Sequence, residues 1–210
     1  MRKVCELGRS MVEMLGVLAI IGVLSVGGIA GYSKAMEKYK LNKQATQLTH
    51  LANVMHIYKN QWEILGQNSE FVNLIPYYKS MGEIDDEMIK DESEYIYDSF
   101  GSKIKMSTNG CIAPNPCTGT VLHLYVAEDT SFSVCQNFFQ IGKEFDEQLS
   151  YMGAYKSVDG QGSGYRFYGS KRCNSQVTCI KDTTLIDMEQ ACRFCEQNAS
   201  MCTLVYSYSF

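Results

Sequence analysis

Met14-Leu-Gly-Val-Leu-Ala-Ile-Ile-Gly-Val-Leu-Ser-Val-Gly-Gly-Ile-Ala-Gly31 runs for eighteen residues without a charged side chain. As a helix rising about 1.5 Å per residue it covers about 27 Å, close to the hydrocarbon thickness of a bilayer. The segment therefore reads as a membrane span near the N-terminus. Its flanks do not orient it, because Arg2, Lys3 and Arg9 before it are answered by Lys34, Lys38, Lys40 and Lys43 after it. The cysteines do. Of nine in the chain, eight lie in the C-terminal half and only Cys5 stands at the start. A cysteine-rich region of this kind belongs to an oxidising compartment, which places the C-terminus outside the cytoplasm.

Beyond the span the pattern becomes amphipathic. Leu41, Ala45, Leu48, Ala52, Met55 and Trp62 recur at spacings of three, four or seven and draw one apolar stripe. Lys40, Lys43, Gln44, Gln47 and Asn53 take the polar remainder. The helix is expected to continue to about Leu65, where Gly66-Gln-Asn-Ser69 ends it, giving a length of about 80 Å. Greasy all round in its first half and on one side in its second, it has the shape required if the second half packs on a sheet. The glycines Gly27, Gly28 and Gly31 mark where it is expected to loosen, since each costs about 1 kcal/mol against alanine.

From Gly66 the sequence reads as an α+β head. Residues 66–92 form an irregular connection with one short helix, and their acids (Glu83, Asp85, Asp86, Glu87, Asp91, Glu92) read as a solvated face. Strands are expected at Tyr95–Asp98, Lys103–Met106, Val121–Ala127 and Tyr165–Tyr168. Asp129 and Thr130 are placed to cap a helix with Phe132, Cys135, Phe138, Phe139 and Ile141 toward the core. Gly160-Gln-Gly-Ser-Gly164 reads as a turn, and Asp187 with Gln190 opens a helix carrying Cys192 and Cys195. Cys202–Phe210 alternates as a last strand with an aromatic face. The loops around Asn109–Thr120 and Gly160–Thr178 are expected at the outer surface. Cys111 with Cys117, and Cys173 with Cys179, each bracket five residues and read as local staples, leaving Cys135, Cys192, Cys195 and Cys202 to pair among themselves.

The start of the chain, an eight-residue basic leader ending in Gly8, then Arg9-Ser-Met-Val-Glu13, then the apolar run, resembles the N-terminus of type IV pilins and type II secretion pseudopilins. The resemblance covers about the first thirty residues. It implies cleavage after Gly8 by a prepilin peptidase, methylation of the new terminus at Arg9, and an assembly role for Glu13 as the fifth mature residue. Cleavage would also remove Cys5 and leave an even number of cysteines. It implies a structural subunit: a leader at 1–8, a transmembrane and assembly helix at 9–31, its amphipathic continuation at 32–65 packed on an antiparallel sheet, and a disulfide-stapled pilin-like head at 66–210. The implied partners are further copies and other pilin subunits, the peptidase, and an inner-membrane assembly platform. The implied location is the bacterial inner membrane as a single-pass protein with a periplasmic C-terminus, then a periplasmic or surface filament. In such proteins a disulfide often ties a C-terminal segment to the sheet, and Cys135 with Cys192 or Cys195 would do so.

Other chemistry finds little footing in the residues. A net charge of −4 offers no basic surplus for nucleic acid. His50, His56 and His123 sit on separate elements without a nucleophile, so no enzyme activity is expected, and neither is a cofactor. Cys192-Arg-Phe-Cys195 matches C-x-x-C but has no second such pair, so neither a redox site nor a metal site is expected. The alternative to the filament subunit is a disulfide-rich binding domain, either secreted after cleavage before Gly31 or held by an uncleaved single-pass anchor.

Overall fold

Residues 11–67, 70–90, 94–111, 115–126, 131–158, 161–196 and 202–210 are described by a computed structural model. One helix, α1, runs Met11–Gly66. It passes through Gly27, Gly28 and Gly31 without interruption, so the expected loosening is absent here. The physical reason is that each glycine costs about 1 kcal/mol while its neighbours keep their helical hydrogen bonds on both sides. The chain divides into two compact units, Met1–Lys40 and Leu41–Phe210, so the last part of α1 belongs with the head.

The head is α+β. In chain order it carries α2 (Ile75–Ser80), β1 (Ile96–Tyr97), β2 (Lys103–Asn109), β3 (Gly119–Val126), α3 (Ser131–Glu144), β4 (Tyr151–Val158), β5 (Gln161–Tyr168), α4 (Leu185–Glu196) and β6 (Cys202–Ser209). The strands form one six-stranded sheet in the order β1-β2-β3-β6-β4-β5, antiparallel at every pairing. The last strand of the chain therefore lies inside the sheet, between β3 and β4. Leu204, Tyr206 and Tyr208 of β6 are buried on one face. Tyr206 stacks on Phe138 of α3 with ring centroids 3.8 Å apart and donates its hydroxyl proton to the Phe138 carbonyl. Tyr208 donates to the Ala52 carbonyl of α1 at 3.3 Å. Gly142 of α3 makes the close approach possible, because a Cβ there would stand 2.5 Å from Met152 Sδ and 2.9 Å from Tyr206 Cε1.

The apolar stripe of α1 supplies its share of this core: Leu48, Ala52, Met55 and Trp62 are buried, joined by Leu51 and Val54. Trp62 donates Nε1–H to the Tyr78 hydroxyl at 2.6 Å and so ties the end of α1 to α2. Two residues of the expected polar remainder are also buried. Gln44 is 0% exposed and Gln47 is 4% exposed, and both are there because they have partners. The Gln44 amide donates to Asp98 Oδ2 and accepts from Asn137 Nδ2 at 2.9 Å, while Gln47 Oε1 accepts the Ser99 N–H at 3.0 Å. Asp98 Oδ1 in turn accepts the N–H groups of Phe100 at 2.9 Å and Ser102 at 2.7 Å. Buried amides satisfied in this way cost little and join three elements, which period counting alone does not reveal.

Other expectations need correction. Gln161–Gly164 is not a turn but the first half of β5, because it pairs with β4 from Val158↔Gln161 onward. The outer loop expected around 160–178 therefore begins only after Tyr168, and Gly119 and Thr120, placed in the other outer loop, open β3. Helix α4 starts two residues earlier than Asp187, since Thr184 and Asp187 cap each other: Asp187 N–H donates to Thr184 Oγ1 at 3.2 Å and Thr184 N–H donates to Asp187 Oδ2 at 2.8 Å. The acids at 83–90 are only partly a solvated face. Glu83 accepts from the Tyr58 hydroxyl at 3.1 Å and Glu87 pairs with Lys43, both binding this segment to α1. Asp91, Glu92, Asp129, Thr130 and Gly160 lie outside the described residues.

Candidate functional site

Two regions carry the features that sequence reasoning singled out. The first is the start of α1. Glu13 lies in its first turn and is exposed. The helix is long and apolar enough to cross a membrane, and among the described residues none of that apolar window is buried. Leu15, Leu18, Ile20, Leu24 and Ile29 all stand more than half exposed. A Cβ placed on Gly16, Gly22, Gly27, Gly28 or Gly31 would meet nothing within 4 Å. Such a surface is unfavourable in water by roughly 25 cal/mol per Å² of apolar area and is stable only against lipid or other helices. Gly8 and Arg9, the expected processing residues, lie outside the described residues, as does Cys5.

The second region is the disulfide framework of the head. Cys111 is bonded to Cys117 and Cys173 to Cys179. Cys135 of α3 is bonded to Cys192 of α4, and Cys195 of α4 to Cys202 of β6. The two cysteines of the C-x-x-C sequence thus face different partners rather than each other. Both sulfurs are consumed, and α4 is fastened to α3 at one point and to the central strand at another. Cys173 and Cys179 also lie close to Asp182, but thiols joined as a disulfide present no thiolate to a metal.

No family model matches the chain, and no curated protein or solved structure matches it either. The site is therefore read from its own geometry.

The histidines are dispersed. His50 Nε2 lies 2.9 Å from the Glu83 carbonyl oxygen, and His123 sits on β3 with its pKa depressed to about 4 by burial and, secondarily, by Lys105. Two clusters went unrecognised in the sequence. One is the buried Asp98 node, where burial raises the carboxyl above its usual range against four hydrogen bonds that lower it. The other is on the sheet face opposite α3. There Lys105, His123, Val205, Gly153 and Arg166 stand in one row across five strands, flanked by Tyr125 and Tyr155 in the next row and by Tyr151 and Tyr168 on the other side. Strand alternation would have revealed this second cluster had β4 been recognised.

Proposed function

We propose that the chain is a structural subunit of a type IV pilus or type II secretion pseudopilus, inserted in the bacterial inner membrane with its head outside, processed after Gly8 and polymerised through its N-terminal helix. The observation that carries this reading is the sequence juxtaposition of Gly8, Glu13 and an unbroken helix whose apolar first part is buried by nothing among the described residues. A carboxylate costs about 2.5–3.5 kcal/mol at the centre of a membrane helix and less near its end. In a stack of subunits the amino group of Arg9, freed by cleavage, offsets that cost by pairing with Glu13 of a neighbour, and the pairing sets the stagger between helices. The glycines provide flat surfaces for helix-to-helix approach. The disulfides hold a head that experiences filament tension.

The decisive measurement is intact mass with N-terminal sequencing of the protein from its native membrane, with and without reduction. A chain beginning at Arg9 with eight oxidised cysteines is expected. A start at Gly31, or an intact Met1, overturns the proposal in favour of a secreted or anchored binding domain. Glu13→Ala is expected to insert and be cleaved yet fail to enter filaments, as scored by recovery in a sheared surface fraction.

A further inference from the structure

Helices α1, α3 and α4 meet the sheet on one face, through Tyr208, Tyr206 and Tyr165 respectively. On the opposite face the side chains of β4 and β5 build a cluster around one guanidinium. Arg166 lies 4.6 Å from the ring centroid of Tyr151, 5.6 Å from that of Tyr155 and 5.9 Å from that of Tyr168. Its Nε–H donates to the Tyr155 hydroxyl at 2.6 Å and its Nη1 to the Tyr168 hydroxyl at 3.3 Å. Gly153 and Gly164 keep the floor low enough for this arrangement, since a Cβ on either would come within 2.9 Å of the Tyr155 ring. Arg166, Tyr151 and Tyr155 line one side of a groove of about 380 Å³, with His123 and Tyr125 on the other.

The donors and acceptors in this cluster do not balance. A guanidinium carries five N–H groups, and two are engaged with the tyrosines. Each tyrosine hydroxyl that accepts from Arg166 keeps its own proton to give elsewhere. Among the described residues, no carboxylate lies within ion-pair distance of Arg166. The rings hold the guanidinium in place, so its free edge is oriented before any ligand arrives.

We propose that Arg166 and Tyr155, with Tyr168 holding the guanidinium from its other side, form a binding site for an oxyanion, a carboxylate, phosphate or sulfate group, carried by a small ligand that enters the groove on the open face of the sheet. The guanidinium sits closest to the Tyr151 ring, 4.6 Å from its centroid, and meets Tyr155 and Tyr168 at their hydroxyls. The site offers convergent N–H and O–H donors, which is what a charged oxygen group needs. The site lies wholly on the head, so it stands or falls separately from N-terminal processing.

The test is titration of the full oxidised chain in detergent with inorganic phosphate, sulfate, glucuronate and, as a neutral control, glucose, followed by calorimetry and by NMR of the arginine side-chain and tyrosine signals. Saturable binding of at least one anion is expected, with the Arg166 Nε and Tyr155 signals moving and glucose silent. Phosphate or sulfate binding without glucuronate assigns a tetrahedral group, and the reverse assigns a carboxylate. Arg166→Gln is expected to weaken binding roughly tenfold or more, with the four disulfides intact by mass. Tyr155→Phe, which removes one hydroxyl and leaves the packing, is expected to weaken it several-fold. Absence of saturable binding, or equal binding by Arg166→Gln, overturns the proposal. Undiminished binding by Arg166→Lys also overturns it, because a point charge would then suffice and the planar fork would have no role.

Discussion

The N-terminal unit and the head use the same apolar residues in opposite ways. Between Met11 and Lys40, leucine, isoleucine and valine side chains lie on the outside of a lone helix, whereas from Leu41 onward the same residue types form a contiguous core of buried side chains. The head has the means to satisfy itself: a sheet face, three helices laid on it and four disulfides. The N-terminal helix satisfies only its backbone. Its side chains require a surrounding that the described residues do not supply, so a single polypeptide joins a self-sufficient fold to a segment whose stability is owed to its environment.

Deleting residues through Lys40 applies the strongest pressure to this contrast. The remaining Leu41–Phe210 unit is expected to be water-soluble with four disulfides, while the full chain enters the detergent phase in a phase-partition assay. A truncated head that still partitions into detergent would erase the distinction. Next in size is removal of the Cys135–Cys192 bridge by paired alanine substitution. Its separation of 57 residues corresponds to about 4 kcal/mol of lost loop constraint, against about 2 kcal/mol for Cys173–Cys179 with a separation of 6. Urea midpoints of the two double variants measure the difference, and equal losses would mean that contacts in the folded head outweigh chain entropy. Neither change is expected to alter membrane partition.

A smaller effect is expected at the buried node. Asp98→Ala leaves the N–H groups of Phe100 and Ser102 and the Gln44 amide without their acceptor, at a cost of about 1–3 kcal/mol in the same denaturation. Leu15→Ala is expected to leave the head's midpoint where it was. The smallest non-zero effect is protonic. Burial beside Lys105 lowers the His123 pKa from 6.5 to about 4, so the folded head favours the neutral ring while the unfolded chain takes up a proton below 6.5. This contribution to stability is complete above pH 6.5 and is lost as the pH falls from 6.5 to about 4. At pH 5.5 the loss is roughly 1 kcal/mol by linkage, and His123→Gln should flatten the profile by that amount.

How much of this was legible followed from whether the signal was local. The unbroken apolar run, the stripe from Leu41 to Trp62 on a helix expected to reach about Leu65, and the alternation of Cys202–Phe210 are all patterns within one segment, and each element stands within a residue of where its pattern placed it. Strand β4 is hard to read because Tyr151-Met-Gly-Ala-Tyr-Lys-Ser-Val158 puts Gly153 and Ser157 among the aromatics of one face and a charged residue, Lys156, among the apolar residues of the other, so neither face shows a plain apolar and polar alternation. The Asp159-Gly160 dipeptide beside it was the available hairpin signal. Gln44 and Gln47 read as surface for a different reason: an amide looks polar and exposed until its distant partner is known, here Asp98 for Gln44 and the Ser99 N–H for Gln47, each some fifty residues away.

By itself the sequence determined that one segment seeks a non-aqueous surrounding, that a helix carries an apolar stripe and runs on to about Leu65, and that an oxidised α+β head follows, since hydropathy, period and composition are properties of residues close together in the chain. Only the tertiary structure decided that the last strand lies between β3 and β4, that Cys192 rather than Cys195 bonds to Cys135, and that Arg166 meets three tyrosines over two glycines. Those are pairings between distant residues, and they are chosen by which arrangement buries the aromatic face of β6 against α1 and α3 while leaving every strand with a hydrogen-bonded neighbour.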